Sequence, residues 1–143
     1  MKKLTRYSFL LVITLIFSCN GKLLLVSCQD CTDNEPIETT LEVKTDFSRT
    51  DSNNAEVKLY EGNIEDNLLK GTYYVTDLNW TVAVKVNKKY TLSATYVNSD
   101  GSVYIAVDSA IPRVKYETSQ CKSPCYYVYD RKINLKLKYS DWR

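Results

Sequence analysis

From residue 37 onward, apolar and polar residues alternate with a period of two along most of the chain. Successive side chains of a β-strand point to opposite faces, so this alternation predicts half-buried strands of antiparallel sheets. Turn-forming residues separate the runs roughly every eight to twelve residues, which is typical of a sandwich or a small barrel. The clearest apolar sets are Leu41 and Val43; Val82 and Val84; Leu92 and Ala94; Val103, Ile105 and Val107; Ile133 and Leu135.

We therefore predict an all-β fold, a single antiparallel β-sandwich of seven or eight strands over residues 38–143. Twelve tyrosines against four glycines and three prolines also favour ordered strands over disorder. A chain of 143 residues is long enough to bury a core without help from a cofactor or metal. Strands are expected near 38–46, 55–61, 71–76, 80–87, 89–97, 102–108, 112–118 and 125–139, the last interpreted as a hairpin.

The first 18 residues have the character of a bacterial export signal. Residues 1–6 carry three positive charges and no acid, and an uncharged apolar run follows from Phe9 to Phe17. That run is shorter than the roughly 20 residues that a membrane-spanning helix needs. The next residues, Ile16-Phe17-Ser18-Cys19, resemble a lipobox, whose cysteine receives diacylglycerol. We predict a lipoprotein signal peptide over 1–18 and lipidation of Cys19.

A second lipobox-like sequence, Leu25-Val26-Ser27-Cys28, makes Cys28 the alternative lipid acceptor. Its letters match the pattern better, but Lys22 would then lie inside the apolar region of the signal. A charge there costs a few kcal/mol on insertion scales. An uncleaved anchor over residues 7–27 is the third alternative.

Residues 27–40 are polar, acidic and without periodicity, and we predict a flexible tether over residues 19–37. A cysteine followed by acidic residues resembles the surface-export signal of lipoproteins from Bacteroidetes-type bacteria. We expect a lipid-anchored protein of the bacterial outer membrane, exposed at the surface, with a periplasm-facing orientation as the alternative. The acidic residues between positions 27 and 40 are Asp30, Asp33, Glu35 and Glu38.

Five cysteines in an exported chain indicate an oxidising compartment and disulfides. If Cys19 carries lipid, an even number remains. The three residues between Cys121 and Cys125 include a proline and form a tight loop, so we predict a disulfide between these two cysteines. Cys28 and Cys31 are the second candidate pair. Four cysteines can also hold zinc, but export favours disulfides, and we predict no metal site.

Two strand sequences carry a family resemblance. Ala55-Glu-Val-Lys-Leu-Tyr-Glu-Gly62 and Lys89-Tyr-Thr-Leu-Ser-Ala-Thr-Tyr96 resemble the transthyretin-like and carboxypeptidase-regulatory-like sandwiches of exported bacterial proteins. Together with Ser27-Cys-Gln-Asp-Cys31 and the Cys121-x-x-x-Cys125-Tyr-Tyr motif, the chain is similar to short Bacteroidetes-type lipoproteins. The resemblance implies a location and a fold, and no activity.

Composition excludes several function classes. The chain has no histidine, which excludes Ser-His-Asp and Cys-His catalysis and imidazole zinc sites. The 19 basic and 17 acidic residues give a net charge of +2, which becomes −1 when residues 1–18 are removed, so nucleic acid is not an expected partner. The acids Asp77, Asp100, Asp108 and Asp130 lie at turns or strand ends, where they usually cap the backbone. We expect no catalytic residue, no enzymatic activity and no cofactor.

The tyrosines near the end of the chain are the candidate binding surface. Tyr126 and Tyr127 are adjacent on a predicted strand, so they cannot both face the core, and Tyr129 follows two residues later. Exposed tyrosines suit a glycan or a protein partner, whereas cross-strand aromatic pairing is the structural alternative. Asp108-Ser109-Ala110 resembles an O-glycosylation acceptor of Bacteroidetes-type exported proteins, which makes Ser109 a candidate site.

The function expected from the sequence is that of a non-enzymatic cell-envelope lipoprotein, a structural or small binding module attached to the membrane through its lipid. The alternative is a component of a surface adhesin that binds glycan or protein through exposed tyrosines.

Overall fold

The computed structural model describes residues 27–138, and within this range the chain forms an all-β sandwich. The only helical elements of this part are two short 3₁₀ turns, Cys28–Asp30 and Ile64–Asp66. None of its helices is long and apolar enough to cross a membrane. The strands are β1 (Glu38–Lys44), β2 (Ala55–Glu61), β3 (Leu69–Val75), β4 (Asn79–Lys85), β5 (Tyr90–Val97), β6 (Val103–Ala110), β7 (Arg113–Glu117), β8 (Cys125–Tyr129) and β9 (Lys132–Asn134).

The strands form three sheets. One sheet has the order β4-β1-β9, the second has the order β3-β2-β5-β6, and β7 pairs with β8 in a separate two-stranded sheet. All pairings are antiparallel except that of β1 with β9, which is parallel. The first seven strands expected from the alternation pattern are therefore present, with small shifts at their ends.

The core lies between the first two sheets. β1 and β4 contribute Leu41, Val43, Val82 and Val84, all of which are buried. The opposite sheet, β9 of the first sheet and the segment after β9 complete the core with Ala55, Val57, Leu59, Val75, Tyr90, Leu92, Ala94, Tyr96, Ala110, Ile133, Leu135 and Leu137. Burial alternates along β1, β2 and β4 and along β5 from Leu92 onward, so the period of two in the sequence corresponds to the inward and outward faces of these strands.

The end of the described chain closes the sandwich. Tyr96 on β5 is fully buried, and its hydroxyl donates a hydrogen bond of 2.8 Å to the backbone carbonyl of Leu135. Burial raises the pKa of this hydroxyl. The amide of Leu135 in turn donates to the carbonyl of Lys44 at the end of β1. The segment after β9 is thus attached to both sheets.

The hairpin predicted over residues 125–139 is not formed by the described part of this range, residues 125–138. β8 already has a neighbour on each edge, because β7 pairs along one side and Thr32 bridges to Tyr126 on the other. Asp130 follows with a left-handed φ of 57°, and the chain crosses to the sandwich, where β9 pairs with β1. The strand pattern was visible in the sequence, but the partner of β9 was not.

The expected burial of the apolar residues in β6 is also wrong. Val103, Ile105 and Val107 are more than half exposed, at 55%, 60% and 53%. The register explains this result, because Ala106 pairs with Ala94, whose side chain faces the core. The alternate positions of β6 therefore point away from the core.

Candidate functional site

The segment 27–37, here called the strap, is fixed to the β7–β8 sheet by two disulfides. Cys28 is bonded to Cys121 and Cys31 to Cys125, with Cα–Cα distances of 5.7 and 5.5 Å. The predicted Cys121–Cys125 disulfide is therefore wrong, and so is the candidate Cys28–Cys31 pair. Each bond instead joins parts of the chain more than 90 residues apart in sequence.

A backbone bridge explains the pairing. Thr32 and Tyr126 exchange two hydrogen bonds, from Thr32 N to Tyr126 O at 2.9 Å and from Tyr126 N to Thr32 O at 2.8 Å. This bridge places the strap along the edge of β8, so that Cys31 lies beside Cys125 and Cys28 lies beside the loop that carries Cys121. Residues 28–37, predicted to belong to a flexible tether, are thus part of the folded domain.

Glu117 organises the loop that carries Cys121. Its side chain is buried at the end of β7, and Oε1 accepts hydrogen bonds from Ser119 N at 2.8 Å, Ser119 Oγ at 2.7 Å and Gln120 N at 3.2 Å. These donors favour the charged form, so they lower the pKa of Glu117 from 4.5 to about 2. Sequence reasoning missed this residue, although an acid at a strand end followed by serine two positions later is a recognisable capping pattern.

The three candidate tyrosines lie on β8 and divide between its two faces. Tyr126 packs against Tyr116 of β7, with ring centroids 4.8 Å apart. Tyr127 packs against Tyr129 at 6.2 Å, and Lys115 Nζ lies 6.0 Å from the Tyr127 ring centroid. Tyr126 and Tyr127 are half-buried and Tyr129 is exposed. Cross-strand aromatic pairing therefore accounts for Tyr126, whereas Tyr127 and Tyr129 form a separate aromatic pair.

A cleft of about 370 Å³ separates the strap from β8 and the start of β1. Three charged side chains line the cleft. Asp30 lies on the strap, Glu38 on β1 and Arg131 after β8. Arg131 also forms a salt bridge of 3.1 Å with Glu42. The sequence could not reveal this cleft, since its walls are brought together by the disulfides. Its lining consists of Ser27, Asp30, Thr32, Pro36, Glu38, Thr39, Tyr126, Tyr127, Val128, Tyr129 and Arg131.

Three of the four paired cysteines form the only cluster of metal-binding residue types in the part of the chain that the structure describes. The Sγ atoms of Cys31, Cys121 and Cys125 lie within 4.8 Å of one another. As disulfides these sulfurs are not thiolate ligands, because metal ions bind the deprotonated thiol.

Ser109 is exposed on β6. The neighbouring Asp108 caps the backbone, since Oδ1 accepts from Ser109 N at 2.9 Å and Oδ2 accepts from Asn134 N at 2.7 Å. The hydroxyl group is therefore accessible to a modifying enzyme, and its glycosylation stays a prediction. Asp100, another of the turn acids, likewise accepts a bond from Ser102 N at 2.8 Å.

Cys19, the predicted lipid acceptor, lies outside the described residues, as does the predicted signal peptide. No protein-family model, curated protein or solved structure matches this chain.

Proposed function

We propose that the chain is a non-enzymatic lipoprotein of the bacterial cell envelope, anchored in the outer membrane by lipid on Cys19. It presents a disulfide-stapled β-sandwich as a structural or small binding module and uses no cofactor.

The disulfide between Cys28 and Cys121 is the observation that carries this proposal. The chain offers two lipobox-like cysteines, and lipidation requires a free thiol to form the thioether. A sulfur bonded to Cys121 has no such thiol, so the structure argues against Cys28 as the acceptor and favours Cys19. The other four cysteines then pair completely, and none is left over.

The chemistry of the cysteines also supports export. Stable disulfides are characteristic of the periplasm, the cell surface and other oxidising compartments. Two disulfides within one small domain therefore fit a protein that folds after it has crossed the inner membrane. This agrees with the basic and apolar character of residues 1–18.

Lipidation of Cys19 would keep the sandwich close to the membrane. The strap begins at the edge of the folded domain, and only residues 20–27 separate Cys19 from the first disulfide-bonded cysteine. A chain of this length spans at most about 30 Å when fully extended. The cleft beside the strap would then lie at the end of the domain nearest the membrane.

Metabolic labelling with palmitate tests the anchor. We expect the wild-type chain and a Cys28→Ala variant to incorporate label, because Cys19 is intact in both. A Cys19→Ala variant should incorporate none and should accumulate as the unprocessed precursor. Label that persists in Cys19→Ala and disappears in Cys28→Ala would contradict the proposal.

Surface display is the second part of the proposed location. The acidic residues Asp30, Asp33 and Glu35 are exposed on the strap, where a surface-export apparatus would be able to read them. Proteinase K added to intact cells should degrade a surface-exposed protein. Degradation only after the outer membrane is permeabilised would indicate the periplasm-facing alternative.

A second candidate function is recognition of a glycan or protein through the cleft. The observation that favours it is the pair of tyrosines, Tyr127 and Tyr129, beside charged side chains at one concave surface. Aromatic rings with adjacent polar groups suit sugars and protein side chains alike. A glycan-array screen tests this candidate, with Tyr129→Ala expected to abolish any binding. Tyr74→Ala is the matched control, because Tyr74 is exposed on β3, away from the residues that line the cleft.

A further inference from the structure

Three of the four disulfide-bonded cysteines, Cys31, Cys121 and Cys125, form one cluster of sulfur atoms, and the fourth, Cys28, is bonded to Cys121. Cys28 and Cys31 are separated by two residues on the strap, and Cys121 and Cys125 by three residues in the β7–β8 connection. The two disulfides lie side by side, since Cys31 Sγ is 3.9 Å from Cys121 Sγ, a sulfur of the other bond. The two pairs of neighbouring cysteines therefore face each other across the same space.

The distances among these three sulfurs are close to those of a tetrathiolate metal site. Zinc binds four thiolates tetrahedrally at about 2.3 Å, which places neighbouring sulfurs about 3.8 Å apart. The spacings C-x₂-C and C-x₃-C both fall within the range typical of structural zinc sites. The Sγ atoms of Cys31, Cys121 and Cys125 already lie within 4.8 Å of one another, and Cys28 is bonded to one of them.

The positions of the two segments do not depend on the disulfides alone. The Thr32–Tyr126 bridge holds the strap against β8 with two backbone hydrogen bonds. The β7–β8 ladder and the hydrogen bonds to Glu117 hold the other pair of cysteines in place. After reduction, four thiols would remain close enough to share one ion.

We propose that the reduced protein binds one Zn²⁺ ion through Cys28, Cys31, Cys121 and Cys125. Two equivalents of a dithiol reductant supply the four electrons and four protons that convert the two disulfides into four thiols, and each dithiol becomes a disulfide. Zn²⁺ then binds four thiolates and releases up to four protons to the solvent. The oxidised domain holds no ion at this position. The redox state therefore determines whether the strap is joined to the β7–β8 connection by two disulfides or by one metal ion. This inference does not depend on the lipid anchor.

Cobalt titration of the full chain in detergent tests the site. The chain is reduced with excess dithiol, freed of reductant without oxygen and titrated with Co²⁺, whose tetrahedral thiolate complexes have an intense charge-transfer band and characteristic visible bands. We expect saturation at one Co²⁺ per chain and loss of the spectrum when Zn²⁺ is added. The oxidised chain should give no such spectrum.

Two serine variants distinguish Zn²⁺ binding at this site from non-specific binding of the metal by other thiols. Cys31→Ser removes one ligand and should weaken Zn²⁺ binding by more than the roughly 10–100-fold that loss of an outer-shell partner costs. Cys19→Ser changes a cysteine outside the cluster and should leave affinity and stoichiometry unchanged.

Near-ultraviolet circular dichroism shows whether the reduced chain is folded before and after the metal is added. A reduced chain that regains its signal with Zn²⁺ supports the site, because metal binding then drives folding. Failure to form a saturable complex with one ion, whether the reduced chain is folded or not, would overturn the proposal. Equal affinity of Cys31→Ser and the wild type would also overturn it.

Discussion

The buried hydroxyl of Tyr96 donates a hydrogen bond of 2.8 Å to the backbone carbonyl of Leu135, 39 residues later in the chain. Tyr96 belongs to the four-stranded sheet, and Leu135 follows the strand that pairs with β1 in the other sheet. This contact is therefore a polar link between the two layers within an apolar core. A carbonyl group in such surroundings needs a partner, because no water replaces the lost hydrogen bond.

Replacement of Tyr96 by phenylalanine should remove this link and little else. The variant Tyr96→Phe keeps the ring but leaves the Leu135 carbonyl without its donor, which should cost about 1–3 kcal/mol in the free energy of unfolding. Urea denaturation measures the difference. Tyr74→Phe is the control, since that side chain is 79% exposed. Equal losses in the two variants would show that the hydrogen bond does not stabilise the sandwich.

A charge on the inward face of β4 should prevent folding. Val84 is 7% exposed, and an aspartate there would be a buried carboxylate without a partner, which a domain with about 5–15 kcal/mol of stability does not readily tolerate. Ala83 is exposed on the opposite face, so Ala83→Asp should fold normally. The yield of soluble protein and its circular dichroism compare the two variants. A folded Val84→Asp variant would contradict the assigned face.

Most of the fold was predictable because the period of two determines which side chains each strand buries. Val84, Leu92 and Ile133 were all assigned correctly to inward faces. Pairing between distant strands has no comparable local signal, so the parallel contact of β9 with β1 was not predicted. β6 shows a second limit of prediction from the sequence. Apolar residues do alternate along this strand, but its register with β5 directs them away from the core.

The candidate site was less predictable than the fold. Four cysteines allow three pairings, and the sequence favoured the shortest loop. The actual pairing follows from the Thr32–Tyr126 bridge, which joins residues 94 positions apart in the chain. No local sequence pattern predicts such a contact. The cleft depends on the same contact. The tyrosines were identified correctly as a feature of β8, but Asp30, Glu38 and Arg131 were not associated with them.

The two disulfides should stabilise the domain in a non-additive way. Either bond alone closes a loop of more than 90 residues, which is worth about 5 kcal/mol on the loop-entropy model. Once one bond exists, the other closes a ring of nine residues, 28–31 and 121–125, and adds about 2.5 kcal/mol.

Paired serine variants measure this coupling. Changing both Cys28 and Cys121 to serine, or both Cys31 and Cys125 to serine, should lower the free energy of unfolding by about 2.5 kcal/mol. Changing all four cysteines to serine should lower it by about 7 kcal/mol. Urea denaturation without reductant gives the three values. If the loss in the four-serine variant equals the sum of the losses in the two paired variants, the two disulfides do not close a common loop.

Glu117 should make the stability of the domain sensitive to acid. Its pKa is about 2 in the folded chain and 4.5 as the reference value, so between these pH values the unfolded chain binds more protons. The contribution of Glu117 to stability is therefore complete above about pH 4.5 and is lost as the pH falls through about 2.

Melting temperatures measured from pH 2 to pH 7 test this dependence. Glu117→Gln should melt below the wild type at neutral pH, and the two curves should converge towards pH 2. Glu35→Gln, an exposed acid of the strap, is the control and should follow the wild type. A constant difference between Glu117→Gln and the wild type at every pH would contradict a role for the charge.

Mass spectrometry of the membrane-extracted protein, digested without reduction, tests the central claim most directly. The account predicts a mature chain that begins at a lipid-modified Cys19, with Cys28 linked to Cys121 and Cys31 linked to Cys125. Lipid on Cys28, accompanied by a free Cys121 or by a Cys121–Cys125 disulfide, would contradict it.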